Sequence, residues 1–274
     1  MNQPAPQTPS LGTWVYGTDS IPDDDPTEGF HEASRLYQDV IDPTLAGGSL
    51  LTRSSELRAS VTRAVRRRTG LSSVALREPL PLATTLGSAV RARRSARAYG
   101  PGSVSLAELS TLLGSAYGLT GAAEEIGQPL RAVPSGGALY PLELYLAALN
   151  VDDLEPALYH YDPLRNVIER LRSLAANELA GLTPYDELLV PSALVTMITA
   201  VFWRSRFKYG PRSYRFALLE AGHAAQNYAL AATALDLDSC PVGGFYDRKV
   251  DSFLGVDGLY EASLYLLPVG GRER

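Results

Sequence analysis

A chain of 274 residues with a single cysteine, Cys240, cannot form an intrachain disulfide or a thiolate-rich metal cluster. That economy points to a reducing compartment. Histidine is nearly as scarce. His31 and His160 have no ligand partner at metal spacing, so no metal site is expected. A basic excess is missing as well: the net charge is -5 and the pI about 5.3, the wrong sign for nucleic acid, whose phosphates demand an electropositive face. No apolar run approaches the ~20 residues of a membrane span. Nor does any stretch combine a basic start, an apolar core and a small-residue cleavage site. The expectation is a soluble, cytoplasmic protein with neither nucleic acid nor membrane as partner.

What is present is a core-forming chain, 45% hydrophobic, large enough for one full domain plus an N-terminal extension. Residues 1–29 carry five prolines, Pro4, Pro6, Pro9, Pro22 and Pro26, and the acidic run Asp23, Asp24, Asp25. This segment reads as extended or partly disordered. From Gly29 to about Ile41, the spacing of Phe30, Ala33, Leu36, Tyr37 and Val40 predicts a helix. Gly47, Gly48, Pro79 and Pro81 interrupt the next stretch, leaving a short basic helix near 54–69 whose Arg63, Arg66, Arg67 and Arg68 read as a solvated face. Residues 30–83 are therefore expected to be a helical extension and 84–274 the main domain.

Within 84–274, a core helix is expected from Thr84 to Arg93, with Leu86 and Val90 one turn apart. Ser105 and Glu108 form a capping box ahead of Leu109, Leu112, Leu113 and Ala116, with Val104 and Leu109 placed as a staple, and this helix should end near Gly118. A strand at 142–149 leads to a hairpin of 157–161 and 167–168 around Asp162 and Pro163. Residues 193–202 are too continuously apolar for a surface strand and belong mid-sheet. An Ala-rich helix at 213–235 carries Phe216, Leu219, Ala224, Tyr228 and Ala231, its small residues allowing close packing on both sides, as in a central or intersubunit helix. A strand into the Pro241 loop, a helix at 249–254 and a strand at 262–267 complete an α+β fold with helices on both faces of one mostly antiparallel sheet.

Three segments carry chemistry. Arg93, Arg94, Ser95 and Arg97 pack three guanidinium groups and a hydroxyl into five residues of an acidic protein. The run is either a phosphate-holding cluster or a solvated basic helix end. In Pro134-Ser135-Gly136-Gly137-Ala138-Leu139-Tyr140-Pro141 the glycines permit close approach to the backbone. In Ser239-Cys240-Pro241-Val242-Gly243-Gly244-Phe245 they expose N–H groups, while Cys240 reads as a small buried residue.

In this order the three segments resemble the nitroreductase-like flavoproteins, over roughly residues 84–271. Lys208-Tyr209, between Arg206 and Arg212, together with Glu220-Ala221-Gly222-His223, resembles the SagB-type branch, the azoline dehydrogenases of thiazole- and oxazole-containing peptides. Ala138 stands where generic nitroreductases carry Asn, which favours that branch.

The resemblance implies FMN as cofactor, with Arg93, Arg94, Ser95 and Arg97 at its phosphate and pyrimidine edge. Pro241, Val242, Gly243 and Gly244 would lie near the reducible ring edge. It further implies a homodimer with FMN at the interface, Pro134, Ser135 and Gly136 lying against the flavin of the other subunit. Arg272 is either a second phosphate contact or a disordered terminal arginine. Lys208 and Tyr209 would be the catalytic pair, removing a proton from a peptide thiazoline or oxazoline, their basicity tuned by Arg206, Arg212 and Arg215. A complex with a cyclodehydratase is compatible, and the segment before 80 is a candidate docking surface. Two alternatives stay open: a nicotinamide-fed reductase of small electrophiles, and a non-catalytic flavin subunit that scaffolds a heterocycle synthetase.

Overall fold

The computed structural model describes residues 26–36, 54, 56, 65, 66, 68, 70–123 and 128–272. The chain forms two compact units, Met1–Leu45 and Ala46–Arg274. In the first, helix α1 spans Pro26–Ala33. Pro26 suits a first helical turn because its missing N–H is not needed there. The helix starts earlier and stops sooner than Phe30–Val40 spacing predicts. The Ser34 hydroxyl turns back onto the Phe30 carbonyl at 2.5 Å, and both Phe30 and Leu36 are exposed. Residues 26–29 are thus helical rather than extended; residues 1–25 and 37–41 lie outside the described residues.

The second unit is built on seven strands. They are β1 (Ser73–Ala75), β4 (Leu142–Ala148), β5 (Ala157–Asp162), β6 (Val167–Ser173), β7 (Leu194–Val201), β8 (Leu237–Ser239) and β9 (Glu261–Gly271), in the order β1-β6-β5-β4-β7-β9-β8. Every neighbouring pair is antiparallel. Strand β4 is buried at every position, because period-2 alternation sends its side chains into two different cores. Leu142, Leu144 and Leu146 face one core; Tyr145 and Ala147 face the other. A separate hairpin pairs β2 (Leu119–Ala123) with β3 (Gln128–Arg131).

The first face is covered by α3 (Leu106–Tyr117) and α6 (Arg212–Ala234). Leu109, Leu112 and Leu113 are fully buried, and truncating any of them to Ala should cost about 2–5 kcal/mol. The capping box starts α3 as its sequence predicts: Glu108 N donates to Ser105 Oγ at 3.2 Å, and Ser105 N donates to Glu108 Oε2 at 2.7 Å. In α6 the alanines at 217, 221, 224 and 232 are buried, small enough to bring the helix close to the sheet. The second face is covered by α4 (Asp186–Leu189) and α7 (Asp247–Leu254). Two further helices, α2 (Leu86–Ala92) and α5 (Trp203–Tyr209), lead into the candidate site. No helix of the described residues is long and apolar enough to cross a membrane.

The second compact unit runs from Ala46, and within the region read as a helical extension β1 at 73–75 is an edge strand of the main sheet. The basic helix near 54–69 falls mostly outside the described residues. Of its described members, residue 56 is helical and residues 54, 65, 66 and 68 are not. Arg66 is exposed, as a solvated face predicts, but it is also tied to the sheet: its backbone N–H donates to Glu143 Oε1 at 2.8 Å and its guanidinium pairs with Glu261 at 2.5 Å. Helix α2 buries only Ala89, leaving Leu86 72% and Val90 53% exposed in the single chain, and Leu219 of α6 is 60% exposed.

Candidate functional site

Helix α2 delivers the arginine cluster. Thr85 caps its start, accepting from Ser88 N at 3.2 Å, and the chain turns extended at Arg93. Ala96 N then donates to Ser239 O at 3.0 Å, and Arg97 Nη1 lies 3.0 Å from Cys240 Sγ. The first and third sequence segments are therefore side by side. Gly100 N donates to Gly271 O at 2.8 Å, which brings the end of β9 to the same place. A β-carbon at Gly270 would collide with Tyr99 at 2.8 Å, so only glycine fits there. Arg272, beyond this strand, pairs with Asp236.

Charge at this site is unbalanced. Arg93 approaches Ser95 Oγ at 3.5 Å, and Arg94 Nη1 binds the carbonyls of Arg91 and Arg93 at 2.8 Å each. Among the described residues no carboxylate forms an ion pair with Arg93, Arg94 or Arg97. Three guanidinium groups left unneutralised on an acidic protein are a donor set for an anion. Burial pushes the Cys240 thiol up, with Arg97 opposing; the residue is buried, as its apolar surroundings predict.

The Pro241 loop leaves β8 through Val242, which exchanges two backbone bonds with Leu266, at 2.8 and 3.1 Å. Gly243 and Gly244 then stand exposed, Gly244 held by Thr183 Oγ1 on its carbonyl at 2.7 Å. Among the described residues neither glycine N–H donates to a backbone acceptor, so both are presented to the surface.

The second segment meets the Lys-Tyr pair instead. Helix α5 ends at Gly210, whose φ of 53° stops it, and its last two residues point back at the Pro134 loop. A β-carbon placed on Gly137 would fall 2.6 Å from Lys208 Nζ and 2.6 Å from Tyr209 OH. One on Gly136 would meet the Phe216 ring at 3.1 Å, and Tyr209 packs edge-on against that same ring at 4.9 Å. Gly137 lies at φ 64°, and Ala138 and Tyr140 follow at 51° and 45°, a conformation that L side chains adopt only at a cost. The neighbouring arginines are directed at rings, Arg206 over Trp203 at 4.9 Å and Arg212 over Phe216 at 5.9 Å.

The predicted residues thus fall into two sets: Arg93–Arg97 with Ser239–Gly244, and Pro134–Gly137 with Lys208 and Tyr209. Among the described residues, no hydrogen bond joins one set to the other within the chain.

Sequence reasoning assigned no role to the polar residues that brace the second set. Arg204, in the first turn of α5, binds Glu143 and reaches the Tyr140 carbonyl at 3.5 Å. Glu143 also accepts from His160 at 2.7 Å. Burial pushes the Glu143 carboxyl up, but Arg204 and His160 outweigh it and hold it down at about 2. Glu220 is the opposite case, a carboxyl that burial lifts to about 7. Both were visible as anomalies: Glu143 is a charge inside an apolar strand, and Glu220 lies in the stripe of Ala217, Ala221 and Ala224.

Comparison with known proteins identifies the family and the fold. The Nitroreductase family pattern matches residues 90–271. MJ1384 of Methanocaldococcus jannaschii, named as a nitroreductase, is 37% identical over 179 residues, covering 65% of this chain and 86% of that protein. The microcin B17-processing protein McbC of Escherichia coli is 33% identical over 137 residues, 48% of this chain and 50% of McbC. The trifolitoxin-processing protein TfxB of Rhizobium leguminosarum bv. trifolii is 32% identical over 155 residues, 54% of this chain but 41% of TfxB. The matches therefore span half or less of the two processing proteins. In structure, a nitroreductase from Anabaena variabilis superposes with a TM-score of 0.70 at 25% identity, over 93% of this chain and 48% of that one. A chain of the E. coli microcin synthetase McbBCD complex shares the fold, with a TM-score of 0.56 at 24% identity. With the family pattern running from α2 through β9 across both residue sets, the chain belongs to the nitroreductase family.

Proposed function

We propose that this chain is an FMN-dependent azoline dehydrogenase, converting thiazoline or oxazoline rings of a modified peptide into thiazoles or oxazoles. The observation that carries the proposal is the convergence of Lys208 Nζ and Tyr209 OH on Gly137, in the loop that the family resemblance sets against the flavin of the other subunit. The residues present fit FMN. Arg93, Arg94 and Arg97, with Ser95, offer the donors that its phosphate needs, and the exposed amides of Gly243 and Gly244 suit a ring edge that gains negative charge on reduction. Bound FMN would supply the two-electron acceptor, later returned to its oxidised form by molecular oxygen. The ring loses two hydrogens, one as hydride and one as a proton, and the chain's own task is to take that proton. Lys208 and Tyr209 are the groups for it.

A homodimer accounts for the two separate residue sets, each flavin being held by the arginine set of one protomer and the Pro134 loop of its partner. It also covers Leu86, Val90 and Leu219, apolar side chains that a single chain leaves in water. Resemblance to McbC and TfxB supports a peptide substrate and work alongside a cyclodehydratase. The likeness to MJ1384 favours a second reading, a nicotinamide-fed reductase of small electrophiles.

The purified protein is expected to be yellow, to carry about one FMN per chain, to sediment as a dimer and to oxidise a model azoline peptide with oxygen. Lys208→Ala and Tyr209→Phe should keep colour and dimer while slowing azole formation about 10²- to 10⁴-fold. A protein that cannot be reconstituted with FMN, or one that turns over NADPH and a nitroarene but no azoline, would overturn the assignment.

A further inference from the structure

Glu220 is 2% exposed on α6, one helical turn beyond Phe216. Residues four apart share a helix face, and this face is the floor beneath the Pro134 loop. Gly136 packs on the Phe216 ring, and the Ser135 hydroxyl faces the Glu220 carboxyl. Glu220 Oε1 accepts from Tyr117 OH at 2.7 Å, and that hydroxyl accepts from Leu142 N at 3.1 Å. One carboxyl so ties α3, α6 and the start of β4 to the loop between them. Its second oxygen makes no well-formed hydrogen bond, so the approach of Ser135 is a close contact rather than a completed bond. Ser135 Oγ itself accepts from Tyr140 N at 2.9 Å, inside the strained stretch at 137–140.

We propose that Glu220 is a positioning residue: through Tyr117 and Ser135 it latches the strained loop so that Gly137 stays against Lys208 Nζ and Tyr209 OH. The importance of that placement rests on the reading of Lys208 and Tyr209 given above. The groups facing Glu220 are Tyr117 from α3, Ser135 from the loop, Arg131 from β3 and Arg204 from α5. Both guanidiniums are directed elsewhere. Arg131 stacks on the rings of Tyr117 and Tyr140 at 4.2 and 4.8 Å, and Arg204 is held by Glu143. Burial therefore dominates and lifts Glu220 to about 7. A closed loop keeps the proton on this carboxyl, whereas an open loop hands the carboxyl to water, where it behaves as an ordinary glutamic acid. Opening then becomes easier as pH rises toward about 7 and levels off above it.

The test is amide hydrogen exchange, read by mass spectrometry on peptides spanning 128–141 of the full-length protein as purified. Rates are corrected for intrinsic pH dependence between about pH 5 and 8.5. In the wild type, loop opening should rise with pH and plateau near 7. Glu220→Gln, which keeps the shape but cannot titrate, should hold the loop with no such rise. Glu220→Ala, and independently Tyr117→Phe, should each open it about tenfold more often, the effect of leaving a buried partner unpaired. Exchange in Glu220→Ala and Tyr117→Phe indistinguishable from wild type would overturn the latch, as would a pH rise that survives in Glu220→Gln. Colourless protein would count against FMN alone, because exchange is still readable; unchanged exchange in a yellow, active protein would count against the latch alone.

Discussion

Gly137→Ala isolates the contact on which the proposed chemistry depends. The new β-carbon lands 2.6 Å from both Lys208 Nζ and Tyr209 OH, where ordinary contacts sit at about 3.5–4.0 Å. Each terminal group must withdraw by about 1 Å, and the alanine must also accept φ 64° and ψ 23° at a cost of roughly 1 kcal/mol. For a unit of this size, that cost corresponds to a fall in Tm of about 2–4 °C. The catalytic loss should be far larger than the loss of stability, since a displacement of about 1 Å at reacting groups costs about 10²-fold in rate. Flavin absorbance, thermal melting and azole formation measured on one preparation separate these effects. The expected pattern is full FMN content, a small fall in Tm and a rate near one hundredth of wild type. A Gly137→Ala protein that makes azoles at the wild-type rate with FMN bound would refute the idea that the loop places Lys208 and Tyr209.

Two further outcomes are expected. Arg93→Ala and Arg97→Ala each remove a charge-assisted donor worth about 1.5–3 kcal/mol, so FMN should bind roughly 10- to 100-fold more weakly by fluorescence titration while Lys208→Ala binds it normally. Glu143, shifted from 4.5 to about 2, should contribute roughly 3 kcal/mol of stability that is present above about pH 4.5 and lost as pH falls through 2. Denaturant titrations between about pH 2 and 5 should show that slope in the wild type and not in Glu143→Gln.

Strand and helix order was legible because it is local. Seven residues of continuous burial in β4, the capping box at Ser105 and the Ala-rich α6 each carry their own periodic or capping signal. What misled was exposure. Leu86 and Val90 have the spacing of a buried face, yet they lie outside the single chain's core, because spacing reports that a face is apolar and not which surface covers it. Edge strand β1 has only three residues, too few for alternation to register. The candidate site reads in the sequence as three motifs, but which of them meet in space does not. That Arg97 meets Cys240 while Gly137 meets Lys208 depends on which strand neighbours which, an arrangement that no single segment encodes.

Glu143 and Glu220 show why the polar brace was the hardest part to foresee. Both are buried glutamates 2% exposed, and desolvation pushes each toward the protonated form. They part company through their donors. Glu143 takes the Arg204 guanidinium, the Arg66 N–H at 2.8 Å and His160 at 2.7 Å, and three donors, at least one of them cationic, keep it ionised. Glu220 takes one phenol at 2.7 Å, while Arg131 lies over the rings of Tyr117 and Tyr140 and Arg204 pairs with Glu143. The two carboxyls flank one loop, Glu143 just beyond its Pro141 end and Glu220 beneath Ser135. Because Arg204 supplies Glu143 and not Glu220, one guanidinium decides which carboxylate stays charged and which remains able to exchange a proton near neutrality. Arg204→Met should therefore act in two places. It should raise the Glu143 titration, because the guanidinium that pairs with it is gone, and it should loosen the Tyr140 end of the loop without touching the arginine set proposed to hold FMN.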